Sequence, residues 1–309
     1  RLSMGEEDLM NLTDAVLHYR RYLKRRNYSN HTRRNYLNRL QHYLVWLPVE
    51  VEAATPAHIK EFIDLQLDKN LSPQTINGHL IANRSFYRYL QEEEQRAIDN
   101  PVTSGLSLRL PKPLPRFLQD SEVRAFFSVI TKRRDLAIFM LMLRAGLRVE
   151  EVAHLKLGAV DHHRSQLMVC GGKGARDRLV YLYDDVADAL AAYLQVRPET
   201  DEPRIFLVEK GTYKGRPLSV RGIQKRAEYY SEKSGVHVSC HQLRHTMATD
   251  LLNAGADVVT IQYLLGHSRN KTTLRYARLS NQRARMDFYQ SMDRVLEIKG
   301  NLTSWNVLC

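Results

Sequence analysis

At 309 residues the chain has room for two domains with substantial cores. Its 43% hydrophobic and 26% charged residues are the proportions of a soluble globular protein. No apolar run of about 18 residues is present, which excludes a spanning helix, and the opening residues carry no secretory pattern, so a cytoplasmic protein is expected. Cys170, Cys240 and Cys309 are odd in number, widely spaced and form no CxxC pair, so they read as free thiols in a reducing compartment, not as a disulfide framework or metal knuckle. The net charge of +12, with an isoelectric point near 9.6, makes polyanions the expected partners, nucleic acid first. A merely basic enzyme is the plain alternative. Residues 1–107 hold 14 Lys+Arg against 13 Asp+Glu, and residues 108–309 hold 32 against 21, so most of the excess lies in the second part. Within the first part, residues 15–40 contain eight basic side chains and no acidic one.

The first hundred residues read as four helices. One covers 9–26 and breaks at Asn27-Tyr28-Ser29-Asn30, where Ser29 or Asn30 can cap a second that runs to about residue 47. Thr55-Pro56 opens a third, to about residue 69, and Ser72-Pro73 a fourth, to about residue 94, with proline placed where a first turn needs no amide donor. Ile76, Leu80, Ile81, Phe86 and Leu90 roughly follow helical spacing in the fourth.

Next comes RLPKPLPR. Pro111, Pro113 and Pro115 forbid a helix and favour an extended strap, a stiff spacer that also suits a phosphate backbone. Beyond it helices are expected over 121–130, 134–143 and 150–157, then strands over 166–169 and 178–183 joined by CGGKGARD. Helices over 184–196 and 219–234 follow, then 241–253 and 257–265, which stop at Gly255 and Gly266 as left-handed caps require. A last helix covers 281–298, with Met286, Tyr289, Met292 and Leu296 as its expected buried stripe, set against its own domain or a neighbouring protomer. The fold class is mainly α with a small antiparallel β-sheet.

Four local patterns carry chemistry. In HQLRHT, His241 and Arg244 are three apart and share a helix face, with Ser239 as N-cap. His241 and His245 have a zinc-like spacing, but Gln242 stands where a metalloprotease needs glutamate. In GLRVEEV, Arg148 offers a fork matched to phosphate oxygens, and Glu151 can hold that fork. Lys173, in GGKG, sits on a hairpin tip from which it can reach into a groove; the spacing is not that of a Walker loop. LLGH ends a helix at His267, and Tyr276 follows nine residues later in TTLRY.

GLRVEEV, the GGKG hairpin, HQLRHTMATDLLNAG, IQYLLGHS and TTLRY stand in the order and spacing of the tyrosine recombinases, and the chain resembles that phage-integrase-type family over roughly residues 117–289. YSNHTRRNY and LSPQTINGHL resemble, more weakly, the family's helical core-binding domain. The compact length is most similar to Xer-type and simple mobile-element members. The resemblance implies a helical, SAM-like core-binding domain over 5–107, a linker over 108–117, a catalytic domain with its C-terminal helix over 118–300 and a tail over 301–309. It implies Arg148 and Arg244 as phosphate-clamping arginines, Lys173 as general acid, His241 and His267 as the two histidines, Tyr276 as nucleophile and Glu151 as support. Arg176 departs from the second hairpin lysine of many relatives. His245 resembles a position of supporting structure.

Double-stranded DNA with inverted-repeat sites is the implied partner, bound by a tetramer of this chain or with a related recombinase, in a cytoplasmic, nucleoid-associated setting, with no membrane, metal or other cofactor. Arg20, Arg21, Lys24, Arg25, Arg33 and Arg34 in the basic stretch, and Lys112 on the strap, are the expected DNA contacts. Two alternatives stay open: a type IB-like topoisomerase acting without site pairing, and a non-catalytic DNA-binding regulator built on the helix–Gly–helix run over 250–266.

Overall fold

The structure, a computed structural model, describes residues 6–110, 116–170, 177–266 and 281–299. Its contacts divide the chain into two units, Arg1–Pro113 and Leu114–Cys309.

The first unit is helical: α1 (Glu6–Arg25), α2 (Asn30–Trp46), α3 (Pro56–Asp68) and α4 (Pro73–Glu92). Asn27 leaves α1 at a φ of +57°, a left-handed position that asparagine tolerates. Of the two candidate caps, Ser29 takes the role: its hydroxyl accepts from the Thr32 amide at 3.1 Å. Helix α4 touches the other three, and it buries Ile76, Leu80, Phe86, Tyr87 and Leu90. Tyr43 of α2 meets Phe62 of α3 edge-on at 5.3 Å and shares a 2.9 Å hydroxyl hydrogen bond with Tyr87 of α4. Ile81, counted on the apolar face above, is half exposed because the buried positions fall one residue either side of it. Two 2.8 Å bonds between the Asn77 side chain and the Leu108 backbone tie the exit of the unit to α4.

The second unit holds α5 (Asp120–Ser128), α6 (Arg133–Leu143), α7 (Val149–His154), α8 (Asp184–Leu194), α9 (Val220–Ser234), α10 (Cys240–Asn253), α11 (Val258–Leu265) and α12 (Asn281–Lys299). Strands β1 (Val160–Asp161), β2 (Gln166–Val169) and β3 (Arg178–Tyr181) form one antiparallel sheet in that order. Helix α6 is buried on every side from Ala137 to Leu143 and packs on α8 and α10, so it is the axis of this unit. In β2–β3 the register sets Val169 opposite Arg178, the last pair before the hairpin.

Several expected boundaries shift for visible reasons. The β3 strand stops at Tyr181: the Leu182 amide still bonds the Ser165 carbonyl at 2.8 Å in register, but Ser165 turns away at a φ of +49° and Tyr183 becomes the N-cap of α8. Helix α7 ends at His154, because the Leu155 carbonyl is taken by the Ile205 amide at 2.8 Å. The two-residue strand β1 carries too short a pattern to be read from sequence.

A second apolar cluster joins α10, α11 and α12 through Met247, Leu251, Leu264, Leu265, Phe288, Met292 and Val295. The last helix thus packs on its own unit. Its stripe matches the expected one in part: Met292 is buried and Tyr289 and Leu296 lie at the margin, but Phe288 and Val295 are buried with it and Met286 is 65% exposed. The 3.6-residue period admits either face, and the apolar faces of α10 and α11 select the one bearing Phe288. No helix among the described residues is long and apolar enough to cross a membrane.

Candidate active site

The site begins at the turn from α6 to α7. Gly146 has a φ of +66°, and a Cβ there would stand 3.1 Å from the Met247 sulfur and 3.2 Å from Leu265, so this turn needs glycine twice over. The turn places Arg148 as N-cap of α7 with Glu151 at its third position. The Glu151 carboxylate accepts from the Arg148 amide at 2.7 Å and from Arg148 Nη1 at 2.9 Å, closing a box across the first turn. Glu151 thus holds both the backbone and the side chain of Arg148, but its larger commitment is to another residue.

That residue is Arg178, at the start of β3. Its Nη1 and Nη2 donate to the two Glu151 oxygens at 2.7 and 2.8 Å, a parallel fork buried from solvent. Arg244, from the face of α10 that also carries His241, brings Nη1 within 3.9 Å of the same carboxylate. Three guanidinium groups thus surround one anion. Burial by itself would raise the Glu151 carboxyl, but the hydrogen bonds and charge of Arg178, then those of Arg148, outweigh it and hold the group at about 2. Burial, and then the charge on Arg148, press the Arg244 guanidinium down to about 9, with Glu151 acting the other way; Arg244 remains a cation at neutral pH.

The last turn of α11 completes the arrangement. Its final carbonyls have no partner within the helix. Leu264 O accepts from Arg178 Nε at 2.7 Å, Leu265 O accepts from Arg244 Nη2, and Gly266 O accepts from Arg148 Nη2 at 3.3 Å. Arg244 Nη1 also donates to the Gly146 carbonyl. Three consecutive carbonyls at the negative end of a helix therefore each hold one arginine, which satisfies the orphan acceptors and favours the cations together. Gly266 makes the approach possible: its φ is +60°, and a Cβ would meet the Arg178 side chain at 3.2 Å.

Helix α10 presents the imidazoles. Ser239 caps it in a reciprocal box, its hydroxyl accepting from the Gln242 amide at 3.3 Å while Gln242 Oε1 accepts from the Ser239 amide at 2.8 Å. Gln242 is thus occupied as a capping residue. One turn along, His245 Nε2 lies 2.8 Å from His241 Nε2, with the rings crossed at 79°. Burial lowers the His241 pKa, followed by the neighbouring His245, Arg244 and Arg148; burial and Arg244 lower that of His245. A neutral His241 can accept a proton.

The described site thus brings Arg148, Glu151, Arg244 and His241 into one region of the second unit. Lys173, His267 and Tyr276 lie outside the described residues, as do Lys112, Arg176 and the three prolines of the strap. Arg178 was missed in the sequence. The available signal was its place in β3, two residues before the inward-facing Val180, since an arginine at a buried strand position demands a carboxylate. Among the expected DNA contacts, Arg20, Arg21, Lys24, Arg25 and Arg34 are exposed, Arg25 also pairs with Glu93 at 2.7 Å, and the half-buried Arg33 donates to Asn30.

Comparison with known proteins agrees with this fold. The profile of the Phage integrase family matches residues 116–283, and that of the Phage integrase N-terminal SAM-like domain matches 16–94. The chain is similar to Tyrosine recombinase XerA of Thermococcus kodakarensis, 34% identical across 88% of this chain and 93% of that protein. It is similar also to Tyrosine recombinase XerC of Pelotomaculum thermopropionicum, 35% identical across 91% and 97%, and to that of Bacillus subtilis, 30% identical across 94% and 99%. Among solved structures it shares its fold with the Tn1549 transposon integrase in complex with circular intermediate DNA, at a TM-score of 0.68 and 19% identity over 85% of this chain and 94% of that one. A lambda integrase dimer bound to a core site gives 0.66 and 16% over 86% and 76%. The chain belongs to the phage integrase family. It is an enzyme of the tyrosine recombinase type, with Xer recombinases among its relatives.

Proposed function

We propose that this recombinase cuts and rejoins duplex DNA through a 3′-phosphotyrosyl link to Tyr276. The observation that carries the reading is the convergence of Arg148 and Arg244, distant in sequence, on one carboxylate and on adjacent carbonyls of α11, with His241 on the same helix as Arg244. Each arginine has five N–H donors. The bonds to protein groups above use two on each, which leaves donors for the oxygens of a phosphodiester.

The chemistry follows from charge. As a phenolic oxygen attacks phosphorus, negative charge grows on the non-bridging oxygens, and donors fixed in advance stabilise it without reorganising. Uncatalysed cleavage of such esters is slow enough that a lowering on the order of 20 kcal/mol is required. Several fixed donors with acid–base catalysis are suited to that scale. An unperturbed tyrosine ionises near 10, so Tyr276 needs a base. His241, kept neutral by its surroundings, is suited to take the phenolic proton, and Lys173 to protonate the departing 5′ oxygen. The bond from phosphorus to that oxygen breaks as the bond to Tyr276 forms, leaving a 5′-hydroxyl. One phosphoester replaces another, so a second 5′-hydroxyl can reverse the step without ATP. His267 is assigned a donor role on the same phosphate.

At the level of the assembly, the reading is a tetramer on paired inverted-repeat sites, exchanging strands in two steps through a Holliday junction. Residues 5–107 act as the core-binding domain, 108–117 as linker and 118–300 as catalytic domain. The DNA-bound state of the Tn1549 and lambda integrase structures supports duplex DNA as the substrate. The test is a randomised duplex library whose members carry a nick that lets the cut fragment escape. The chain should form a denaturant-resistant protein–DNA adduct, and Tyr276→Phe should abolish it while retaining binding. An adduct that survives that substitution refutes the assigned nucleophile. Relaxation of supercoiled DNA without junctions would instead mark a topoisomerase.

A further inference from the structure

We propose that Arg178 is a positioning residue for the cleavage step: it occupies both oxygens of Glu151, so that the carboxylate orients Arg148 without cancelling the positive field offered to a phosphate. The inference rests on the clamp reading above.

The geometry gives Arg178 three attachments. Its fork closes on both Glu151 oxygens at 2.7 and 2.8 Å, its Nε donates to Leu264 O at 2.7 Å, and its side chain lies against Gly266. It thus links β3 to the first turn of α7 and the last turn of α11. Arg178 is only 6% exposed, so its role is indirect: it acts on Glu151 and on α11, whose next two carbonyls hold Arg244 and Arg148.

Arg148, Arg178 and Arg244 are three cations around the single carboxylate of Glu151. Without Arg178 the carboxylate would turn its whole charge on Arg148 and Arg244, and one unit of net charge would be lost where phosphate binds. Neutralising Glu151 as well would restore that unit. A buried anion deprived of its fork also costs stability, whereas removing both partners relieves it.

The double variant therefore separates field from framework. Single-turnover adduct formation would be measured at saturating nicked duplex, beside binding of inorganic phosphate followed by 31P line broadening, at a temperature where circular dichroism shows each variant folded. Arg178→Met should slow adduct formation at least ~10-fold and weaken phosphate binding, with duplex affinity within about twofold. Arg178→Met combined with Glu151→Gln should recover most of both losses. Arg178→Lys, which keeps the charge but cannot fork, should fall between. The proposal is overturned if Arg178→Met keeps wild-type phosphate binding and rate, or if the double variant is no better than the single one in phosphate binding. If the wild-type chain forms no adduct, the reading of function fails, and the order of phosphate affinities still decides the role of Arg178.

Discussion

The arginines proposed to meet DNA in the first unit and those of the site in the second are held in opposite ways. In the first, Arg20, Arg21 and Arg34 stand exposed on α1 and α2, with Lys24 beside them. In the second, Arg148, Arg178 and Arg244 are drawn inward, and backbone carbonyls and Glu151 fix the direction of every fork. An exposed cation contributes charge that salt screens and that any other cation replaces. A buried, bonded guanidinium contributes geometry. The first kind suits holding a backbone of unspecified sequence, and the second suits stabilising charge that appears only during reaction. Residue type alone does not distinguish them; the partners do.

The largest effect is expected where geometry is most fixed. Arg244→Lys should cost adduct formation about 10²- to 10³-fold, close to Arg244→Ala, since an ammonium cannot span Gly146 O and Leu265 O while facing a phosphate. Arg20→Lys should be silent in the same single-turnover assay. A tolerated lysine at position 244 would erase the contrast.

Next comes the acid limb of stability. Glu151 is held at about 2 against an ordinary 4.5, so its folded pKa is depressed. Its contribution is complete above about 4.5 and is lost as pH falls toward 2. Denaturant unfolding across that range should show a shallower fall for Glu151→Gln than for wild type; parallel curves would mean that the carboxylate is not so held.

The exposed set should give a smaller, uniform effect. Alanine at Arg20, Arg21 or Lys24 should weaken DNA binding a few-fold on every sequence and reduce the salt-dependence slope by about 0.9 for each phosphate no longer neutralised. An unchanged slope would remove that side chain from the interface. The smallest effect concerns His245. It helps to hold His241 down, so His245→Asn should move the acidic limb of the cleavage profile to higher pH by less than about one unit. A shift to lower pH would reverse the assigned coupling.

Much of this was legible in the sequence, because helix ends and caps are local. Ser29, Ser72 and Ser239 cap α2, α4 and α10 through bonds three residues away, and glycine and proline mark the breaks. Arg148, Glu151, His241 and Arg244 were legible from motif order and helical spacing. Arg178 was not, because its meaning lies in a carboxylate 27 residues away and in the end of α11, partners that no local period reports. The face of α12 was legible only in part: Met292, Tyr289 and Leu296 join the cluster as expected, but the choice of Phe288 over Met286 is made by the packing of α10 and α11.

The central claim is that the arginine clamp serves a phosphotyrosyl link, and the most direct measurement is proteolysis of the isolated protein–DNA adduct followed by mass spectrometry of the peptide that carries nucleotide. The account predicts a single modified peptide with a 3′-phosphoryl nucleotide on the oxygen of Tyr276. Nucleotide linked to any other side chain would contradict it.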